Sequence, residues 1–295
     1  MRSFASVVKA TALEVLSEPL TLLVQLAALA LSVLAPTFHY HQFGEATRMA
    51  RDSGFSALFV CGTVVAVFCT IRAFRREIES GTIQMALAHP ISRGGFFLAK
   101  ALGAFAAYLV FAATVLCTAL DVIEGARIGG VIAARTGDIA RLYGPCLAAG
   151  VAVMLVPLVV GAALNRFLRF RFVLSSMVTA FVLSLVAAGA CAALDRGLLP
   201  RHLPPAALLV VLASVFLSAS AALAVRFRAN AAAAGAGVLF ALFLPFVGNY
   251  YMSDALANGG SVHWGYVGLA ALAAAPAALA FLVVGIRFIG ERDVS

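Results

Sequence analysis

Residues 71–100, IRAFRREIESGTIQMALAHPISRGGFFLAK, concentrate charge that the hydrophobic runs on either side lack. Arg72, Arg75 and Arg76 precede Glu77 and Glu79, while Arg93 and Lys100 close the segment. These side chains can form ion pairs and seat against a partner, and none is arranged as a nucleophile with its base. Pairing of Arg75 or Arg76 with Glu79 at helical spacing contributes only about 0.2–0.5 kcal/mol. Gly81 and Thr82 read as a break and restart, because glycine tolerates a left-handed helix end and a threonine hydroxyl accepts an orphan amide. The short helix predicted next presents Ile83, Leu87 and their neighbour Ala86 on one side. Pro90 disfavours helical geometry at His89, and Ser92 can cap the helix that follows. Arg93 then lies in a first turn where the macrodipole favours anions, so it calls for lipid phosphate or a partner's carboxylate nearby.

Bond-making chemistry has no comparable signature. The sequence contains no GxxxxGK[ST] phosphate loop, HExxH or GxSxG. His39, His41, His202 and His263 are scattered without an acidic cluster, so no metal site and no catalytic residue is expected. The five cysteines fall within or at the edges of apolar runs at no ligand spacing, and they read as small packing residues.

The elements that must position the charged segment are membrane helices. Apolar residues make up 63% of the chain and charged residues 12%, against roughly 25% charged in soluble domains. Runs long enough to cross a bilayer, about 20 residues each, predict about eight spans in an all-α polytopic bundle: 20–38, 55–72, 97–120, 143–164, 172–194, 206–225, 231–249 and 264–287. Residues 1–295 read as one integral membrane domain, with 121–142 as an extracytoplasmic loop or surface helix. The basic residues behind the net charge of +8 fall mostly on connections of one side, which places the chain in a cell membrane with both termini in the cytoplasm and points to no nucleic-acid partner. Tyr40, Tyr143, Tyr250, Tyr251, Trp264 and Tyr266 fall at the opposite, outer edges, as interfacial aromatics do. Residues 1–18 form a moderately amphipathic helix ending before Pro19, suited to a bilayer surface. No span core contains an acid or base, which argues against an ion-coupled secondary carrier. Tyr108, Thr114, Thr118, Ser175 and Thr179 could line a substrate path, and hydrogen bonding between helices explains them equally well.

The segment RREIESGTIQMALAHPISRGGFFLAKALG resembles the connection between the second and third spans of ABC-2 type transporter permeases. Glu77, Glu79, Gly81, Thr82, Pro90, Ser92, Arg93 and Lys100 match its pattern in order. The resemblance implies that 73–96 is a cytoplasmic coupling segment whose short helix docks on a separate ATP-binding subunit, with Leu87 in its apolar patch. It also makes 1–18 the elbow helix and implies a six-span core, so that either the C-terminal pair is an addition or the chain divides differently over 206–249. ATP and Mg would be held by the partner ATPase, and none by this chain. The implied function is export of an unidentified substrate, by two permease subunits, identical or related, in a bacterial inner membrane. A scaffold transmitting ATP-driven motion to an extracytoplasmic protein, without transport, stays open as the alternative.

Overall fold

The computed structural model describes residues 2–34, 46–79, 92–136, 140–228, 231–238 and 262–291. All its regular structure is helical among those residues. The helices are α1 (Arg2–Leu16), α2 (Pro19–Leu34), α3 (Ala46–Val64), α4 (Thr70–Glu79), α5 (Arg93–Thr136), α6 (Ala140–Leu168), α7 (Phe172–Leu194), α8 (Leu198–Arg226) and α9 (Trp264–Glu291). Residues 231–238 are also helical. A π-helical turn, Val65–Cys69, joins α3 to α4 within one hydrophobic rod. Six of the described helical stretches are long and apolar enough to cross a bilayer, and the bent pair α1–α2 adds a seventh at most.

Local chemistry explains the boundaries. Pro19 opens α2, where its missing donor costs nothing, and it disfavours helix at the preceding residue; α1 and α2 therefore meet at a 60° bend. Ser92 accepts the Gly95 amide at 3.1 Å and caps α5 as its sequence position predicts. The expected span 172–194 coincides with α7. The expected start at 206 does not hold, because α8 begins at Leu198 and carries Pro204 and Pro205 inside it. The carbonyls facing their missing donors belong to the helix's opening turn, where few bonds are lost. Residues 121–136 are neither a loop nor a separate surface helix: they continue α5, which reaches 44 residues without interruption. Only part of the span expected at 231–249 lies among the described residues, and Tyr40, Tyr250 and Tyr251 lie outside them.

The core is built around α5. Phe111, Val115 and Tyr108 of α5 pack with Phe55 and Leu58 of α3, Met177 of α7, and Leu209 and Ala213 of α8. A second cluster joins Phe74 of α4 and Phe97 of α5 to Phe216 and Ala221 of α8, Ile289 of α9, and Ala232 and Ala236. The close contact expected from Ala233 and Gly237 is thus made one position away: Ala232 and Ala236 are buried, and Gly237 faces open space. Following the chain, α4's end, the α6–α7 turn, the end of α8 and the end of α9 lie at one end of the bundle, which we call the stem end. The Arg75 contact with Phe227, the Arg226 contact with Phe288 and the Arg93 contact with Gly290 join three of these.

Candidate functional site

The charged segment is held at its base by a buried ion pair. Lys100 is 1% exposed, one helical turn or two into α5, and its ammonium lies 2.9 Å from Oε1 of Glu77 on α4. The same ammonium donates to the Ala73 carbonyl at 2.5 Å and stands 5.7 Å from the centre of the Phe74 ring. Phe74 in turn packs on Phe97 of α5, ring centres 5.2 Å apart. One lysine therefore ties the two helices flanking the segment through charge, backbone and aromatic face together. Glu77 thus turns inward as a brace between α4 and α5.

The arginines of α4 have partners that local spacing did not indicate. Arg72 pairs with Glu18 at 3.0 Å and Arg76 with Glu14 at 3.6 Å, both carboxylates coming from α1 or the bend after it. Arg75 donates to the Phe227 carbonyl at 3.3 Å. Glu14, which blurs the amphipathic pattern of α1, is there because that face meets α4 rather than solvent alone. These pairs surround a cavity of about 500 Å³ lined by Glu14, Val15, Glu18, Cys69, Arg72, Ala73, Arg75 and Arg76. The α1 backbone also approaches α5 so closely that a Cβ on Gly103 would lie 2.6 Å from the Val8 carbonyl oxygen.

Arg93 finds a backbone acceptor within the chain. Its guanidinium donates to the Gly290 carbonyl at 3.2 Å, at the negative end of the α9 dipole, a contact that the sequence did not indicate. A Cβ on Gly285 would approach the Phe97 ring to 2.2 Å, so α9 and α5 also meet where only glycine fits. Ser92 and Arg93 consequently begin α5 with both cap and dipole contact in place. Gly81, Thr82, Leu87 and Pro90 lie outside the described residues, as does the side chain of Glu79, whose backbone ends α4.

The five residues considered for a substrate path do not line this cavity. Tyr108, Thr114 and Thr118 are buried in α5. Thr114 donates to Val110 at 2.8 Å, Thr118 to Thr114 at 3.0 Å and Thr179 to Ser175 at 2.7 Å, each within its own helix. Ser175 bonds the carbonyls of Arg171 and Phe172, both at 3.0 Å. Tyr108 packs its ring end over Gly62, where a Cβ would stand 3.3 Å from the hydroxyl. Hydrogen bonding that satisfies the hydroxyls locally accounts for the threonines and Ser175.

Sequence reasoning passed over several buried polar groups. Gln25 of α2 is 1% exposed, and neither amide atom has a hydrogen-bond partner among the described residues. Glu124 is 1% exposed and is held by Arg127 through two bonds of 2.5 and 2.7 Å. Asp121 accepts a bond from the Cys191 thiol at 3.4 Å. These acids lie beyond the end expected for the third span, so the absence of ionisable groups expected of the span cores does not extend to the whole of α5. Their separation from other acids gave no pattern, and only the unbroken helix reveals their burial. Among the described residues no group of His, Cys, Asp and Glu is placed to hold a metal, and Cys61, Cys69, Cys117 and Cys191 are free thiols.

A bundle of helices long and apolar enough to cross a bilayer, tied at its stem end by ion pairs, is the architecture of a multi-pass membrane protein. A sequence model of the ABC-2 family transporter proteins matches residues 15–187, more than half of the chain, and the chain belongs to that family. No curated protein and no solved structure matches it.

Proposed function

We propose that the protein is the permease subunit of an ABC exporter, with the stem end in the cytoplasm and ATP hydrolysed by a separate subunit docked on residues 80–91. The observation that supports this most is the Lys100–Glu77 brace, which joins the two helices flanking that segment within a family of ABC membrane proteins. Force delivered to 80–91 would reach α4 and α5 together, because moving one without the other would strand a buried charge at a cost of several kcal/mol. The π turn at Val65–Cys69 lies mid-rod between α3 and α4, and such turns are local departures from helical bonding that can absorb a change of angle. Cargo would move where the apolar helices of two copies, or of two related subunits, repack.

Extraction in mild detergent followed by mass spectrometry tests the reading. An ATP-binding subunit should co-purify, and Leu87→Arg should release it while leaving the chain folded. Glu77→Arg is the wrong variant for that purpose, since it places a second cation against Lys100. Purification with no ATPase partner, or full retention with Leu87→Arg, would sink the docking assignment.

The second reading, motion transmitted to an extracytoplasmic protein, is favoured by α5 itself. Its 44 residues give about 66 Å of contour at about 1.5 Å per residue, against roughly 30 Å of hydrocarbon. That surplus supplies a lever beyond the bilayer. ATPase activity rising only with a periplasmic protein, and with no measured translocation, would select it.

A further inference from the structure

We infer that the turn between α6 and α7 is a binding site for the phosphate headgroups of anionic phospholipid. Residues 165–172 read NRFLRFRF, alternating basic and aromatic residues with no acid. Every one of them is exposed, with Phe167 at 82%, Phe170 at 57% and Phe172 at 36%. Only Arg169, Phe170 and Arg171 separate two membrane-crossing helices, so this surface is confined to the bilayer boundary and cannot reach far from it. Exposed phenylalanines belong in the acyl boundary there, and arginines among them belong at the phosphates just above.

The polar groups are arranged for an anion. Among the described residues none of Arg166, Arg169 and Arg171 has an ion-pair partner, in contrast to Arg72 and Arg76. Arg171 stands at the N-cap of α7 and offers no side-chain acceptor, so the opening amides of a 23-residue helix add their donors and the positive end of its dipole. Arg169 adopts φ 57°, a left-handed conformation in which a side chain is unfavourable and glycine is not. The turn is pinned in that shape by Asn165 Nδ2 donating to the Phe170 carbonyl at 2.7 Å, with the Phe170 amide reaching Leu164 O at 3.4 Å. An arginine held where glycine would be more comfortable points to use of its guanidinium.

The test reconstitutes the full-length chain into nanodiscs of phosphatidylcholine with and without phosphatidylglycerol, and counts retained lipid by native mass spectrometry after detergent transfer. The wild type should retain phosphatidylglycerol in preference to phosphatidylcholine. Each arginine removed, in Arg166→Gln, Arg169→Gln and Arg171→Gln, should weaken that preference roughly fivefold. Arg169→Gly separates binding from folding: it should unfold at the same or higher temperature and still lose phosphatidylglycerol. Unchanged lipid preference in Arg169→Gly and the triple variant would overturn the assignment. So would intact lipid preference combined with loss of a co-purifying protein, which would make the turn a protein dock.

Discussion

Two sets of helices in this bundle have similar hydropathy and opposite surroundings. The most apolar stretches of the α3–α4 rod, α5 and α8 are 72%, 61% and 67% buried within the chain, whereas those of α6, α7 and α9 are 17%, 22% and 6% buried. Hydropathy alone cannot separate them, because lipid is as apolar as a protein core and exerts no pressure to hide leucine. Polar detail does separate them. The buried set carries the Lys100–Glu77 brace, and the outer set presents Leu155, Val159, Val182, Leu185, Leu272 and Leu279 outward. The first set forms an internal frame; the second leaves its apolar surface to lipid or another subunit.

The largest expected effect tests the frame. Lys100→Met removes the cation from a buried pair and leaves Glu77 without it, so thermal unfolding in detergent should show a loss of about 3 kcal/mol. Adding Glu77→Leu should recover a substantial part, because the uncompensated carboxylate goes too. If the double variant is no more stable than Lys100→Met, packing of the lysine stem holds the helices and the charge pair does not.

A single kind of substitution should then change sign between the face of α9 that meets the buried set and the face that does not. Gly285→Ala places a methyl group against the Phe97 ring and should cost about 1–3 kcal/mol through overpacking. Gly268→Ala on the same helix, with nothing within 4 Å, should instead gain about 0.5–1 kcal/mol from helix propensity. Urea or thermal unfolding of the two variants in one detergent provides the comparison. Losses of equal size at both positions would mean that α9 is enclosed on its outer side as well, as a subunit interface would enclose it.

The frame was more legible in the sequence than its joints. Apolar runs located the membrane helices, and α7 matches residue for residue because Arg171 and Asp195 flank an uninterrupted run. Runs interrupted by proline or charge were cut short: α8 passes through Pro204 and Pro205, and α5 passes through Asp121, Glu124 and Arg127. Charge was read as leaving the membrane, but Glu124 and Arg127 satisfy each other on one helix face and need not leave the helix. The joints depend on which helices become neighbours. Local spacing offered Glu79, whose side chain lies outside the described residues, to Arg75 or Arg76, and could not offer the Glu14 that the fold brings to Arg76; nor could it show the carbonyl that the end of α9 brings to Arg93. Lys100 was visible as part of a motif, yet its tie to Glu77 is created only when α4 and α5 run side by side.

The smallest expected effect separates a joint that holds from one that can slide. Arg72 and Arg76 are 61% and 71% exposed, so their pairs with Glu18 and Glu14 lie in a screened setting and should each contribute about 0.2–1 kcal/mol. A double-mutant cycle on Arg72→Gln and Glu18→Gln, measured at low and high salt, should give a coupling that fades as salt rises. The Lys100–Glu77 coupling should persist under the same conditions, because the ammonium is shielded from counterions. Salt-insensitive coupling at Arg72 would place α1 in the rigid frame; coupling that vanishes with salt would leave α1 free to shift on α4 while α4 and α5 stay joined. That difference decides whether motion entering at the stem is passed to the N-terminal helix or slips beneath it.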